Sequence, residues 1–294
     1  MIIKQLSVGA KVRDDESGVV FLVADHNHTG YEGTALITDC AIKIAAFDAA
    51  EPDNPDSEMK EFGNNFYPDS NIHRWLNSSS EKWYKPAHEF DAAPTRANTD
   101  QGRLDIYEAP FYSKEAKYFE DYSYLDDKGF LSWFPKAFVD SLVEVRVSCF
   151  IDQEHKSHGP PNPIRILCKV FLLSGAELGC EYISVCPEGF RYGLFADGRM
   201  RACAPTPVAI KRDSGYVYND CSLFYWLRSP AAGTRGFASI YYSDHKMATA
   251  DMNMNATSQL PVRSICGIRP AMNIDSTIQV TDKPDQGGAH SFIY

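Results

Sequence analysis

Two short segments near the C-terminus each combine bulky apolar side chains with one arginine and one proline. The first is Tyr225–Pro230, with the sequence YWLRSP, and the second is residues 267–272, with the sequence GIRPAM. A buried arginine needs partners, and its fork of N–H donors can satisfy several backbone carbonyls at once. We therefore predict that both segments are buried strand ends, with Trp226, Arg228 and Arg269 as scaffold residues.

The residues between these two segments have a different character. Residues 231–266 are small, polar and aromatic, a mixture of adaptable polar groups and amphipathic rings that is typical of recognition surfaces. The alternative is an ordinary hairpin and loop of the core, in which the tyrosines are packing groups. We interpret the pattern as a scaffold that holds a display surface.

Composition restricts the class of protein. The chain has 294 residues, 44% of them hydrophobic, and a formal net charge of -10. It can therefore bury a sizeable core, and an acidic chain without a Lys/Arg-rich run is poorly suited to nucleic acid. No signal peptide or long apolar run is present, so we expect synthesis in a cytosol and no membrane insertion.

The cysteines and other reactive residues do not indicate a metal centre or an active site. The eight cysteines contain no CxxC pair, so neither a zinc ribbon nor a small disulfide scaffold is expected. His155 and His158 lie near Cys149 and Cys168, but their spacing fits no common metal site. No GxSxG, HExxH or phosphate-binding glycine loop occurs. We therefore predict no catalytic residues and no metal ligands.

Periodicity predicts several strands. Residues 19–24 and 34–39 are β-branched and aromatic runs across a glycine-containing turn, which indicates an antiparallel hairpin. Residues 143–149 alternate with period two, as in a half-buried strand, and residues 166–174 are apolar nearly throughout, as in a central strand. Residues 216–278 form a final strand-rich unit.

Helices and loops are predicted between these strands. Residues 69–77 open with capping residues and carry the apolar spacing of a short helix, and residues 129–142 have a four-residue aromatic repeat that predicts a second helix packed on the first. Residues 176–178 begin a short helix. The acidic, proline-rich residues 48–67 are expected to be a surface loop, and residues 84–128 an irregular segment.

Five segments in order carry a resemblance to a known family. They are residues 70–77 (SNIHRWLN), 129–131 (GFL), 169–177 (KVFLLSGAE), Tyr225–Pro230 and 267–272. This set resembles a largely uncharacterised family of tailed bacteriophages, prophages and gut bacteria. The last two segments look like those of C-type-lectin-like folds, including the variable proteins of diversity-generating retroelements and, more distantly, formylglycine-generating enzymes.

The resemblance implies an α+β, C-type-lectin-like fold with two core helices beside small antiparallel sheets and much irregular loop. It implies a single domain over residues 1–280, with a strand-rich part at 1–47, a display part at 216–278, and a tail at 281–294. Carried onto this chain by strand-like alternation, the ligand-binding positions are Arg235, Phe237, Ser239, Tyr241, Ser243, His245, Asp251, Asn253 and Asn255. Methionines replace the usual asparagines here, which favours a fixed surface over a diversified one.

The implied function is that of a non-enzymatic virion protein, such as a tail, fibre or capsid-surface component. Its expected partners are other virion proteins, a host-cell glycan or protein, and further copies of itself, since multivalency strengthens weak recognition. The alternatives are a purely structural or decoration protein and a formylglycine-generating-type oxidase that uses Cys266. No cofactor is expected. The alternative is a calcium ion, for which Asp251, Asn253 and Asn255 would share one strand face.

Overall fold

The computed structural model describes residues 1–99, 124–150, 163–180, 188–202, 225–231, 237–241 and 257–294. These residues form an α+β fold with short helices and β-sheets. The α-helices are α1 Ser57–Phe62, α2 Asn71–Leu76, α3 Lys136–Ser141 and α4 Gly175–Leu178. The 3₁₀ helices are Ile3–Gln5, Tyr67–Asp69, Phe130–Trp133, Gly193–Ala196 and Gly198–Arg201.

The strands pair into three sheets. In chain order they are β1 Lys11–Arg13, β2 Val20–His26, β3 Thr34–Thr38, β4 Lys43–Ala46, β5 Leu142–Val143, β6 Val145–Cys149, β7 Ile164–Cys168, β8 Val170–Leu172, β9 Tyr225–Pro230, β10 Phe237–Tyr241, β11 Thr257–Pro261, β12 Ile265–Ile268, β13 Pro270–Ile274, β14 Gln279–Val280 and β15 Ala289–Ile293. An eight-stranded sheet has the order β14-β15-β1-β2-β3-β13-β5, with β8 also paired to β13. A five-stranded sheet has the order β11-β10-β9-β12-β4, and β6 pairs with β7 separately.

The predicted N-terminal hairpin is confirmed. β2 and β3 pair antiparallel, from Phe21 opposite Thr38 to His26 opposite Thr34. β3 is buried along its whole length and β2 is buried over residues 21–24, while Val20, Asp25 and His26 are half-buried. The β-branched and aromatic residues of both strands pack in the core. The turn that joins them ends at Gly33, where φ is +87° and an added Cβ would lie 2.5 Å from the carbonyl oxygen of Ile274.

The first predicted helix is confirmed as α2. Ser70 is its N-cap, and the Ser70 side chain accepts a hydrogen bond from the His73 amide, which satisfies an amide that the helix itself leaves unpaired. Ile72, Trp75 and Leu76 are fully buried, as their helical spacing predicted.

The second predicted helix, residues 129–142, is wrong as one element. It consists of the 3₁₀ helix Phe130–Trp133 followed by α3, with Phe134 extended between them at φ -109° and ψ 150°. Pro135 explains the break, because the residue before a proline is pushed out of the helical region. The 3₁₀ part packs on α2, where the ring centroids of Trp75 and Phe130 are 5.7 Å apart.

Two further predictions need correction. Residues 48–67 are not loop throughout, since Asp56 caps α1 by accepting hydrogen bonds from the Glu58 and Met59 amides. Residues 166–174 are not one central strand. β7 pairs only with β6 among the described residues and is largely exposed, whereas β8 is buried and pairs with β13.

The side chain of Asn77, which ends α2, separates β7 from β8. Its Oδ1 accepts hydrogen bonds from the Lys169 amide at 3.1 Å and the Val170 amide at 3.0 Å, and its Nδ2 donates to the Val170 carbonyl at 2.8 Å. These contacts satisfy the backbone amides of residues 169–170 at the point where strand pairing changes from β6 to β13.

The C-terminal residues 281–294 supply β15. This strand runs parallel to β1 in the eight-stranded sheet. Phe292 is 7% exposed, and its ring packs edge-on against Phe138 with centroids 5.4 Å apart. The tail therefore packs on the chain's own sheet. No helix within the described ranges has the length and hydropathy needed to cross a membrane.

Candidate functional site

The predicted site residues fall into three groups. Trp226 and Arg228 lie on β9, and Arg269 lies between β12 and β13. Phe237, Ser239 and Tyr241 occupy alternate positions of β10. The remaining positions lie outside the described residues: Arg235, Ser243, His245, Asp251, Asn253 and Asn255.

The base of the proposed display surface is a β-hairpin. β10 and β11 pair antiparallel over their full length, from Phe237 opposite Pro261 to Tyr241 opposite Thr257. β10 also pairs with β9, with a register shift between Ala238 and Ile240. Because β11 is the edge strand of the five-stranded sheet, the hairpin lies at the margin of the molecule's second sheet.

β9 holds this hairpin on the core. All of its residues are buried. Trp226 is fully buried, and its indole N–H donates to the Ala45 carbonyl at 2.9 Å, across β12 to β4. Its ring also contacts Phe47 edge-on, with centroids 5.7 Å apart. A buried indole needs such a partner for its N–H, and here that partner ties β9 to β4.

Arg228 joins the three sheets. It lies on β9 of the five-stranded sheet, and its Nε donates to the Ser148 carbonyl on β6 at 3.0 Å. Its Nη1 donates to the Leu172 carbonyl on β8, in the eight-stranded sheet, at 2.8 Å. The guanidinium lies over the Phe171 ring, 5.7 Å from its centroid. The predicted burial of this arginine among backbone carbonyls is thus observed.

A carboxylate pairs with this guanidinium. Glu177 on α4 accepts from Arg228 through both oxygens, at 2.6 Å and 2.8 Å, and both residues have no exposed side-chain surface. Glu177 also accepts hydrogen bonds from the Tyr31 hydroxyl at 2.6 Å and from the Ser174 amide at 3.0 Å. The bidentate geometry and the extra donors offset the desolvation of the two charges.

A second carboxyl group, Glu188, completes what we call the Arg228 cluster: Arg228, Glu177, Glu188, Tyr31 and Ser229. Glu188 accepts from the Ser229 hydroxyl and from the Phe150 amide, the latter at 3.3 Å. Burial raises the pKa of Glu188 to about 7, a rise that the nearby Glu177 supports and Arg228 opposes. Glu188 meets the guanidinium through its backbone carbonyl, which accepts from Nη2 of Arg228. Because Glu177 holds the bidentate position on Arg228, Glu188 is the carboxyl that favours its neutral form.

Burial also acts on the phenol of this cluster. It raises the pKa of Tyr31 far above its ordinary value, and the neighbouring charge of Glu177 adds to the effect. Tyr31 therefore remains a hydrogen-bond donor to Glu177 over the whole physiological range.

Arg269 has a similar role at the crossing between two sheets. It is the residue between β12 of the five-stranded sheet and β13 of the eight-stranded sheet. Its Nε donates to the Thr38 carbonyl at 3.1 Å, its Nη1 donates to the Arg201 carbonyl at 2.9 Å, and its guanidinium lies over the Tyr225 ring at 5.4 Å. Arg269 therefore ties both sheets to the 3₁₀ helix Gly198–Arg201.

Sequence reasoning missed the acidic partners of Arg228. One signal was available: Ser174 and Glu177 have the S-x-x-E spacing of a capping box, and the structure shows both reciprocal hydrogen bonds. No comparable signal indicated Glu188 or Tyr31, because their contact with Arg228 depends on distant parts of the chain.

A second group of buried acids surrounds α2. Asp48 is 2% exposed and accepts from the Asn64 amide at 2.8 Å and the Asn71 amide at 2.9 Å. Burial raises the pKa of Asp48 well above its usual range, and Asp91 and Glu51 add to the rise. Asp91 in turn pairs with Arg74. Because Asp48 binds backbone amides at the start of α2, we assign this group to the scaffold.

The sequence left two alternative sites open: an oxidase site at Cys266 and a calcium site at Asp251, Asn253 and Asn255. Cys266 lies in β12 and is 3% exposed. The proposed calcium ligands lie outside the described residues, and within the described part of the chain no group of three or more His, Cys, Asp or Glu side chains is arranged to hold a metal ion.

Fold and site together define an α+β protein in which buried arginines hold the strands that carry the β10–β11 hairpin on the core. The chain belongs to the family described as a domain of unknown function, DUF6273, whose family model matches residues 32–276. Comparisons with curated proteins and with solved structures found no match.

Proposed function

We propose that this chain is a non-enzymatic bacteriophage virion protein with a C-type-lectin-like fold, which binds a host-cell glycan or protein through the segment carried by the β10–β11 hairpin. The observation that carries this proposal is the mounting of the hairpin on β9. That strand is buried along its length and is held by Arg228 and Trp226 to all three sheets.

A rigid mounting favours binding because ordering a loop at an interface costs free energy. Tyr241 and Thr257, which flank residues 242–256 in the chain, are paired directly across the hairpin. Closing the ends of a segment in advance removes part of the entropy that a ligand would otherwise have to offset. This arrangement supports a fixed recognition surface.

The spacing of the candidate positions on β10 is consistent with display. Phe237, Ser239 and Tyr241 alternate along the strand, and Ala238 between the first two is fully buried. Successive positions of a strand belong to opposite faces of its sheet, so a strand with one face in the core leaves the other for contacts. The position of β11 at the sheet edge supports the same interpretation.

Binding is tested with the purified full-length protein on an array of bacterial surface glycans and on intact bacterial cells. We expect Tyr241→Ala to weaken binding at least tenfold, which corresponds to the loss of about 1.4 kcal/mol at a central aromatic contact. The matched control is Phe190→Ala, which removes an aromatic side chain that is 60% exposed in a different part of the chain. Binding that is equally strong in both variants and in Asn253→Ala contradicts the proposal.

A structural or decoration role in the particle is the second candidate. It is favoured by the exposed apolar residues of β7, where Ile164 is 42% and Leu167 is 54% exposed, as expected of a contact surface between subunits. A cryo-EM reconstruction of the virion distinguishes the two roles. Residues 237–257 facing outward support recognition, whereas the same residues packed against another subunit support assembly.

The oxidase alternative has less support. A reactive cysteine needs access to substrate and a lowered pKa, and Cys266 is buried within β12. Alkylation of the folded protein tests this point: rapid modification of Cys266, abolished in Cys266→Ser, would favour the oxidase over the binding protein.

A further inference from the structure

His28 and Tyr192 form a buried stack beside the Arg228 cluster. His28 lies in the turn between β2 and β3, and Tyr192 immediately precedes the 3₁₀ helix Gly193–Ala196. Their ring centroids are 4.0 Å apart with an interplanar angle of 25°. His28 is 6% exposed and Tyr192 is fully buried. Every polar atom of these two rings therefore needs a partner inside the protein.

The Nδ1 atom of His28 has such a partner. It lies 3.0 Å from Oδ2 of Asp25. Partial burial alone would raise the pKa of Asp25, but hydrogen bonds from His28 and from the Gly193 and His26 amides hold it below its ordinary value. Asp25 is thus a carboxylate that only accepts, so the Nδ1 atom of His28 carries a proton and donates it to this hydrogen bond.

Two polar atoms of the stack have no partner among the described residues. They are Nε2 of His28 and the hydroxyl oxygen of Tyr192, and both are buried. Burial raises the pKa of Tyr192 well above its usual range, an effect to which Glu177 adds, so the phenol keeps its proton and acts as a donor. The stack thus presents two buried polar atoms without a partner, one of them a hydroxyl donor, and leaving each unpaired costs about 1–3 kcal/mol.

These two groups do not satisfy each other, since neither atom has a hydrogen-bond partner among the described residues, although their rings are stacked with centroids 4.0 Å apart. A water molecule that makes two bonds of about 2.8 Å can join atoms up to about 5.6 Å apart. It would accept a hydrogen bond from the Tyr192 hydroxyl, and because water both donates and accepts it can also pair with His28 Nε2.

We propose that the His28–Tyr192 stack is a binding site for one buried water molecule, held by His28 Nε2 and the Tyr192 hydroxyl. The ligand is water-sized and neutral because both atoms are enclosed, and a buried water commonly makes two to four hydrogen bonds to such groups. A metal ion fits poorly, since the described residues offer no set of three suitable ligands.

The position of this water gives it a structural effect. His28 belongs to the β2–β3 turn, which also carries Tyr31, the donor to Glu177. The amide of Tyr192 donates to the Glu177 carbonyl at 3.1 Å. The water therefore closes a polar network that runs from Asp25, which is partly exposed, to the fully buried Arg228 cluster, and it joins the β2–β3 turn to the segment before Gly193.

The test compares Tyr192→Phe with Tyr31→Phe in the full-length protein by urea unfolding. An unpartnered hydroxyl and a water-bridged hydroxyl respond in opposite directions, since removing the first relieves a penalty and removing the second breaks a bond. We expect Tyr192→Phe to raise the unfolding equilibrium constant about fivefold. Tyr31→Phe, which removes the hydroxyl bonded to Glu177, is the positive control and should raise it at least as much.

An unchanged or lower unfolding constant in Tyr192→Phe, with the expected increase in Tyr31→Phe, overturns the proposal. A high-resolution crystal structure of the full chain provides the second readout. Density for a water within hydrogen-bond distance of both His28 Nε2 and the Tyr192 hydroxyl supports it, and an empty site in a map that shows other buried waters overturns it.

Discussion

Replacing Glu188 by glutamine should change how the stability of this protein depends on pH. Glu188 is fully buried, and its carboxyl contacts the Ser229 hydroxyl and the Phe150 amide. The Ser229 oxygen already accepts from the Gly175 amide at 3.1 Å and has a second lone pair. In Glu188→Gln the new NH₂ group can donate to Ser229, as the protonated acid does, while the amide oxygen accepts from Phe150.

The magnitude follows from the change in pKa on folding. Burial raises the pKa of Glu188 from 4.5 to about 7, and each pKa unit corresponds to about 1.4 kcal/mol. The folded protein therefore binds this proton more tightly than the unfolded chain. The resulting stabilisation, about 3 kcal/mol, is fully present below pH 4.5 and is lost as the pH rises through 7.

The measurement is the free energy of unfolding of the wild type and of Glu188→Gln, from urea titrations at half-unit steps between pH 5 and pH 8. Glutamine cannot ionise, so the difference between the two proteins isolates the titration of Glu188. Contributions from other titrating groups, including the histidines, are common to both proteins and cancel where they are independent of this site. Relative to the wild type, the variant should gain about 2–3 kcal/mol as the pH rises across this range.

A matched control separates this effect from loss of a negative charge in general. Glu32 is exposed, so Glu32→Gln should give a stability curve parallel to that of the wild type. If the difference between Glu188→Gln and the wild type is also constant from pH 5 to pH 8, the carboxyl does not titrate in this window in the folded protein, and the account of the Arg228 cluster is wrong.

Three further predictions test the scaffold by urea unfolding. Glu177→Gln should lower the free energy of unfolding by about 3–5 kcal/mol because it leaves the buried guanidinium of Arg228 without its charge partner. The double variant Glu177→Gln with Arg228→Met should lose clearly less than the sum of the two single losses. Losses that add up would refute the pairing of these two residues. Asn77→Ala should cost about 2–3 kcal/mol through the lost bonds to residues 169–170, whereas a cost below about 0.5 kcal/mol would show that strand pairing compensates. Gly33→Ala should lower the free energy of unfolding more than Gly18→Ala does. Both positions have positive φ, but only at Gly33 would the added Cβ lie 2.5 Å from the Ile274 carbonyl oxygen. Equal losses would mean that backbone strain alone sets the effect.

Local sequence signals predicted elements whose residues interact with near neighbours in the chain. Ser70 and the apolar spacing that follows it predicted α2, and the two β-branched runs predicted the β2–β3 hairpin. Prediction failed where a local rule competed with the period, as at Pro135, which divides the second helix, and at Asp56, whose capping role was hidden in a proline-rich stretch. It also failed where strand pairing decided the outcome, since residues 166–174 are apolar nearly throughout but separate into β7 and β8.

The features of the candidate site also separate into those that the sequence predicted and those that it did not. That Arg228 and Arg269 would be buried among backbone carbonyls followed from an arginine set in apolar, proline-bounded segments. That Arg228 would bind backbone carbonyls of β6, of β8 and of Glu188 could not be foreseen, because Ser148, Leu172 and Glu188 come from separate parts of the chain.

The sequence alone thus determined which residues must be buried and which of them would need hydrogen-bond partners, since the cost of desolvating an arginine, an indole or a carboxyl group is a property of the side chain. Only the tertiary structure decided which groups meet that need. The free-energy cost of burying a charge depends on the partners within a few ångströms of it. Sheet pairing brings those partners together from distant parts of the chain. The pKa of Glu188 and the role of Arg228 in joining three sheets are for this reason properties of the fold.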